Sequence, residues 1–393
     1  MINVTRLLGL GNFGGDALRY SAAVRGAAAG ARADSGPVVV WNCTRACNLA
    51  CKHCYAGANP LPAPDELSRG EGLEFLRSLA AYRVPVLLLS GGEPLVRPDA
   101  FDLMKAAVEE GLQVTLSTNG TLIDGSVART LKNMGISYVG ISLDGLEEVH
   151  DKLRGKKGAF MSALEGIRHC LRVGQKVGLR LTLTRYNLQQ LSDIFYLIEE
   201  ERIPRVCFYH LVYSGRGAEL READLTTEET RAAVDTIIDY TERLSAKGRP
   251  VEVLTVDNHA DGPYIYLYLK KRKPEQAAVA LELLKLNGGN RSGIAIGEVD
   301  WEGNVHPDQF TLNHTLGNVR QRPFGEIWED TSNPILAGLR DRRPLLKGRC
   351  RDCAWLEICN GNCRARAEAV TGDFWESDPA CYLTEREIKI KEK

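Results

Sequence analysis

Three cysteines stand at one spacing early in the chain: Cys47, Cys51 and Cys54, in the run Cys47-Asn48-Leu49-Ala50-Cys51-Lys52-His53-Cys54-Tyr55. C-x3-C-x2-C is too tight for a disulfide framework and lacks the paired C-x2-C of a zinc ribbon. Three thiolates on one short loop can take three corners of a [4Fe–4S] cube. The fourth iron then lacks a protein ligand and is free to bind a substrate or cofactor. A cluster with an open iron does chemistry, whereas a fully ligated one usually only moves electrons. Three merely structural thiols are the alternative, and the flanks of the loop weigh against it.

A second group lies near the C-terminal end, Cys350-x2-Cys353-x5-Cys359-x3-Cys363, with Cys381 further on. Thiolates at this density need a metal. Structural zinc and an auxiliary iron–sulfur cluster both answer that need; the first motif favours the cluster. Five thiols exceed the four that one cube takes, so at least one is spare or one iron site is shared differently. Cys43, Cys170 and Cys207 sit in apolar settings and read as buried structural residues.

Short apolar runs alternating with amphipathic stretches must position these groups. Strands are expected at Pro37–Asn42, Pro85–Ser90, Gln113–Thr118, Tyr138–Leu143, Gly178–Thr184 and Val206–Leu211. Helices are expected near Asp65–Ala81, Ala100–Glu110, Gly125–Asn133, Phe160–Val173 and Leu188–Glu200. Strands separated by helices imply an α/β fold with a parallel sheet, and their nearly continuous apolar character implies that both faces are covered. The units are too few for a closed eight-stranded barrel, so an open, partial (β/α)6 barrel is expected, with reactive groups at the C-terminal strand ends. The cysteine loop follows the first of these strands. Ser90-Gly91-Gly92-Glu93-Pro94, Ser117-Thr118-Asn119-Gly120 and Ser142-Leu143-Asp144-Gly145 close the next three. Each alone is ordinary turn chemistry. Polar groups at three successive strand ends on the cluster side point to a shared ligand, with Glu93 suited to an ammonium group and Asp144 to hydroxyls.

Residues 1–35 read as an N-terminal extension whose Gly/Ala-rich part, Ser21–Ser35, is a linker; residues 36–223 form the barrel, 224–290 a connecting helical region, and 291–393 a small cysteine-bearing domain. The connecting region holds a helix at Thr227–Lys247, a candidate strand at Pro250–Val256, the polar run Asp257-Asn258-His259-Ala260-Asp261-Gly262 and alternating Tyr264, Tyr266 and Tyr268. A hairpin is expected from Ile294–Trp301 and Val305–Phe310 around Glu302-Gly303-Asn304. With 50 basic against 51 acidic residues the net charge is −1, so no nucleic-acid partner is suggested. No apolar stretch is long enough for a membrane span, and Met1–Tyr20 has no apolar signal core. Eleven cysteines in a chain of this kind point to thiolate ligands in a reducing compartment, the cytoplasm.

The chain resembles the radical S-adenosylmethionine enzymes that carry a C-terminal SPASM (twitch-like) iron–sulfur domain. The likeness covers nearly all of it and rests on Cys47–Cys54, on Gly91-Gly92-Glu93-Pro94, and on Asp144-Gly145 followed by His150-Asp151, Arg154-Gly155, Gly158 and Phe160. The resemblance implies that an open iron binds the amino and carboxylate groups of S-adenosylmethionine, whose cleavage yields a 5′-deoxyadenosyl radical. By position Gly91, Gly92 and Glu93 would serve the methionine amine. Ser117, Asn119 and Asp144 would serve the ribose or carboxylate, His53 and Tyr55 would lie near the adenine, and Arg180 would pair the carboxylate. A ferredoxin or flavodoxin is the expected electron donor. Domains of this type with two auxiliary clusters carry an extra cysteine pair before and within the hairpin. Here residues 290–310 have none, so the resemblance implies one auxiliary [4Fe–4S] cluster, on Cys350, Cys353, Cys359 and Cys381, with Cys363 as the alternative to Cys381.

A narrower resemblance is to the tetrapyrrole-modifying AhbC/NirJ branch. It rests on Leu18-Arg19-Tyr20, on Gly36–Asn42, on Thr255–Gly262, and on His306-Pro307-Asp308-Gln309 paired with His314-Thr315-Leu316-Gly317-Asn318. It implies removal of the acetate side chains of 12,18-didecarboxysiroheme to give iron-coproporphyrin III, in siroheme-dependent heme biosynthesis. Propionate removal towards d-type heme, oxidative decarboxylation of iron-coproporphyrin III, and peptide maturation are the alternatives. About thirty-five residues precede the first strand, too few for the leader-binding domain that peptide maturation favours. A macrocycle with several carboxylates needs cations and flat apolar walls; Arg19, Arg216 and Arg291, with Tyr209, Tyr213, Tyr264 and Tyr266, are the candidates. Among His210, His259 and His306, His259 is the first choice for ligating the substrate iron or moving a proton.

Overall fold

A computed structural model describes residues 1–20 and 36–390. The stretch 21–35, expected as a linker, lies outside them. Among the described residues eleven strands form one sheet. They are β1 Ile2–Asn3, β2 Val38–Asn42, β3 Val86–Ser90, β4 Gln113–Thr118, β5 Tyr138–Ser142, β6 Val177–Leu183, β7 Arg205–His210, β8 Glu252–Val256, β9 Ile296–Val299, β10 Asn304–His306 and β11 Gly317–Asn318. Their order is β1-β8-β7-β6-β5-β4-β3-β2-β9-β10-β11. β2 through β8 run parallel, each paired with its sequence neighbour. The six expected strands are all present close to their expected bounds, and the sheet continues with β8, the candidate strand of the connecting region. β9 joins the other edge parallel to β2, with Val38 opposite Ile296 and Trp41 opposite Val299. The C-terminal hairpin is thereby continuous with the barrel.

Helices cover the outside, and local chemistry sets their ends. The first starts at Arg69, four residues later than expected, because Ser68 and Glu71 form a reciprocal capping box. Asp124 caps Gly125–Met134, and Gly135 closes it in the left-handed region, where a side chain would be strained. Thr226 and Glu229 form a second capping box ahead of Thr227–Ala246. Trp41 of β2 is fully buried and packs edge-on against Phe75, with ring centroids 5.2 Å apart. The N-terminal segment is part of this core: β1 pairs antiparallel with β8, and Ile2, Val4 and Leu7 are buried.

Tyr264, Tyr266 and Tyr268 alternate in a strand-like way yet lie on the helix Asp261–Arg272. Most of its residues are buried, so no polar stripe marks the helical period. The helix Glu147–Arg154 was not anticipated; it carries His150 and Arg154 to the cysteine loop.

Candidate active site and iron–sulfur cavities

Because β2 to β8 are parallel, their C-terminal ends open on one side. There a cavity is lined by Cys47, Cys51, His53, Cys54, Tyr55, Gly91, Gly92, Ser117, Asn119, Arg180, Tyr209 and Arg216 among the expected residues.

Backbone contacts that only small residues permit hold the cysteine loop. Gly92 N donates to Thr44 O at 2.7 Å and Glu93 N to Ala46 O at 2.8 Å. A Cβ on Gly92 would overlap the Ala46 carbonyl, and one on Gly91, at φ 140°, would meet Thr44 O at 2.5 Å. The glycine pair is thus explained first by the approach of the loop. Arg216 clamps the far side, Nε to Cys51 O and Nη1 to Ala58 O, both at 2.8 Å.

Each of the three sulfurs faces an N–H donor. Leu49 N lies 3.4 Å from Cys47 Sγ, Ala58 N 3.4 Å from Cys54 Sγ, and Arg154 Nη1 3.5 Å from Cys51 Sγ. Such donors stabilise thiolate charge and tune a cluster's potential. With protein atoms alone around it, burial pushes the Cys47 thiol up to about 12, so metal must displace its proton for the thiolate to exist there. Among the described residues no three His, Cys, Asp or Glu side chains gather tightly enough for a single ion. Three sulfurs on one loop, each facing an N–H donor, fit a three-cysteine cluster.

Two expected contacts are corrected. Glu93 does not line the cavity: it is fully buried and accepts from Thr118 Oγ1 and Asn119 N at 2.7 Å and from Leu95 N at 3.2 Å. Burial raises its carboxyl, and these bonds fasten the end of β3 to the end of β4. Asp144 is also turned away, with its Oδ2 2.5 Å from Arg154 Nη2 and 3.1 Å from His53 Nε2, and its Oδ1 2.8 Å from Thr182 N. Burial opposes its ionisation, but Arg154 and His53 hold it well below the usual carboxylate range. Asp144 thus positions the arginine that touches Cys51. Asn119 sits at the loop, its Nδ2 2.8 Å from Asn48 Oδ1, and Tyr55 Oη donates to Asn42 Oδ1 at 2.9 Å.

Arg180 donates through Nη1 to Ser117 Oγ at 2.7 Å, and its buried Nε has no hydrogen-bond partner among the described residues; Arg216 Nη2 is likewise unpartnered. Gly140 on β5 makes room, since a Cβ there would overlap the Arg180 guanidinium.

Four expected substrate residues lie elsewhere. Arg19 pairs with Asp16 and Glu252, each at 2.8 Å, because its short helix packs on β8. Arg291 precedes the hairpin, where its carbonyl accepts the turn N–H groups of Ile294 and Ala295. Tyr264 is on the outer side of its helix, bonded to Asp235 at 2.8 Å beneath the Arg231 guanidinium. His259 is buried against the Met1 amino group, at 3.2 Å, and its backbone N–H binds Asn362 Oδ1. Of His210, His259 and His306, the one that lines the cavity is His210, at the end of β7. Asp257, Thr182, Gln309 and Phe310 line it too and were not anticipated. Asp257 directly follows β8, so the strand-end rule reaches it once β8 is counted in the barrel; Gln309 stood in a motif of the resemblance without a role assigned to it, and Phe310 only ended the expected hairpin.

A second, smaller cavity is lined by Cys350, Cys353, Cys359 and Cys381, with Trp355, Leu383 and Ile388. Cys363 is set apart: it packs with Val212, Ala365 and Phe310 at the edge of the main cavity. Burial raises the Cys381 thiol to about 11 and pushes the Cys359 thiol well up, as it does Cys47 at the first loop.

Fold and site together define a partial-barrel enzyme with an iron–sulfur loop at the strand ends. The chain belongs to the radical SAM superfamily, which residues 41–198 match; residues 296–354 match SPASM, an iron–sulfur cluster-binding domain. It is 55% identical over 358 residues to "Fe-coproporphyrin III synthase" of Methanosarcina barkeri, covering 90% of each chain. It is 44% identical to "Pre-heme d1 synthase" of Dinoroseobacter shibae, covering 91% of this chain and 89% of that one. Among solved structures, anSMEcpe with bound AdoMet superposes with a TM-score of 0.67 at 19% identity, over 88% of this chain and 93% of that one, a likeness of fold.

Proposed function

We propose that this chain removes the two acetate side chains of 12,18-didecarboxysiroheme, giving iron-coproporphyrin III in siroheme-dependent heme biosynthesis. The observation that carries the reading is the 55% identity, over nine-tenths of both chains, to Fe-coproporphyrin III synthase. The 44% identity to pre-heme d1 synthase favours one second reading, propionate removal from a related tetrapyrrole.

Cys47, Cys51 and Cys54 would hold the cluster that, with S-adenosylmethionine bound, supplies the 5′-deoxyadenosyl radical. Gly91, Gly92, Ser117 and Asn119 border the same space and offer the methionine and ribose small, polar surroundings. His53, held by Asp144, and Tyr55, held by Asn42, flank it. Arg180, bonded to Ser117, and Arg216, clamped on the cysteine loop, border the same space and bring positive charge for carboxylates. Tyr55 and Phe310, with rings edge-on at 5.4 Å, and Val40 and Leu88 give flat apolar contact for a macrocycle and exclude water from the reacting side chain. Cys350, Cys353, Cys359 and Cys381 hold a single auxiliary cluster, and a ferredoxin or flavodoxin supplies electrons. The thiol count supports a reducing compartment, the cytoplasm; among the described residues no helix is long and apolar enough to cross a membrane.

The test is anaerobic turnover of reconstituted, reduced protein with S-adenosylmethionine and 12,18-didecarboxysiroheme, followed by mass analysis of the tetrapyrrole. Loss of two acetates is expected. Loss of propionates would move the protein to the second reading, and absence of 5′-deoxyadenosine would remove the radical chemistry altogether.

A further inference from the structure

A substrate that carries iron offers the protein a metal as well as carboxylates, and one histidine is built to take it. Of the seven histidines, only His53 and His210 line the main cavity, and His53 belongs to the cysteine loop and is tied to Asp144. His210 is the last residue of β7, paired in register with Leu183 of β6, so a rigid strand fixes its Cα. Its Nε2 lies 3.0 Å from Asp261 Oδ2, and Tyr382 Oη donates to Asp261 Oδ1 at 2.6 Å. Asp261 is fully buried, in the first turn of its helix. With the Nε2–H donated to Asp261 Oδ2, the imidazole carries its lone pair on Nδ1. A buried carboxylate on one imidazole nitrogen is what metal-ligating histidines show: it fixes tautomer and orientation and raises donor strength. In a merely structural histidine of the core, the ring would not border the space where substrate must sit.

We propose that His210, through Nδ1, is an axial ligand of the iron of the tetrapyrrole substrate, with Asp261 and Tyr382 as positioning residues behind it. The assignment rests on the tetrapyrrole reading and adds to it the protein group that grips the metal. A ligand anchored at the end of β7 also sets where the macrocycle stands relative to the cysteine loop, and hence which side chains come near it.

The experiment uses the cluster-loaded protein and two probes, ferric coproporphyrin III and metal-free coproporphyrin III, read by binding titration and by electron paramagnetic resonance of the ferric porphyrin. With the native protein, the ferric signal should shift to that of an imidazole-ligated iron. His210→Ala should lose that signature and bind the ferric probe at least about tenfold more weakly, while its affinity for the metal-free probe is unchanged. His210→Gly with added free imidazole should regain the signature, which shows that the variant is folded. Asp261→Asn should keep an imidazole-type signal but weaken ferric binding by about tenfold. Equal ferric spectra for the native protein and His210→Ala would overturn the assignment while leaving the tetrapyrrole reading intact. Failure of the native protein to bind either probe would overturn that reading and the assignment with it.

Discussion

Cys359 and Cys363 belong to one motif but serve different spaces: Cys359 faces the other three auxiliary cysteines, while Cys363 faces Val212 and Phe310. Cys363→Ser should therefore keep the full iron and sulfide content, and Cys381→Ser should lose the iron of one cluster. Equal losses by anaerobic iron and sulfide assay would put Cys363 back among the ligands. Asp257 is a second residue-scale case. It is a non-glycine residue at φ 68° on the cavity wall, and burial pushes its carboxyl up from 3.8 to about 7. The Met1 amine, Arg366 and His210 pull it down, and Asp308 pushes it up. The folded state thus holds this proton more tightly than the unfolded chain does. Its stabilising contribution is complete below the ordinary value and is lost as pH rises through about 7. The slope is at most about 1.4 kcal/mol per pH unit. Asp257→Asn keeps a residue that tolerates the left-handed backbone, so the thermal midpoint of the cluster-loaded variant should fall less steeply between about pH 5 and pH 7. Identical slopes would show that Asp257 does not titrate there. At this scale the sequence revealed the cysteines, because ligand spacing is local. It did not separate His210 from His259, since His259 lies three residues beyond β8 and turns to the Met1 amino group, a contact that depends on the long-range pairing of β1 with β8.

At the scale of elements, the turn after β3 is the part on which the cysteine loop leans. Gly92→Ala would drive a methyl into the Ala46 carbonyl, and backbone cannot give way there as a flexible side chain could. The expected result is loss of the cluster at Cys47, Cys51 and Cys54 with the auxiliary cluster retained. Iron content should fall to that of one cluster, and cleavage of S-adenosylmethionine should cease. A Gly92→Ala protein with native iron content and cleavage would show that the contact is slack. The strands and most helices were legible because apolar runs bounded by caps are local signals, as Ser68 with Glu71 and Thr226 with Glu229 illustrate. The helix Asp261–Arg272 was not, because burial on nearly every side removes the polar face that reveals a helical period.

The whole molecule hangs on one sheet whose two ends come from distant parts of the chain: β1 closes on β8, and β9 closes on β2. Neither pairing has a local signature, although the hairpin turn at Glu302-Gly303-Asn304 did. Beyond β11, regular structure thins to helices of eight residues or fewer, and four thiols that line one cavity come from residues 350–381. The two ends should therefore depend differently on iron. Strands β2 to β8 carry the main hydrophobic core and its backbone ladders, which need no metal. The C-terminal segment adds only a few residues to that core, among them Trp355, Ile358, Tyr382, Leu383 and Ile388, and its four thiols line a cavity of their own. Metal binding is folding free energy where the site does not otherwise form. Removing iron by chelation under anaerobic conditions should abolish hydrogen-exchange protection across residues 346–390 while β3 to β7 keep theirs. If protection fell evenly over both regions, the clusters would be stabilising the entire sheet, and the C-terminal segment could not be the part of the fold that iron assembles.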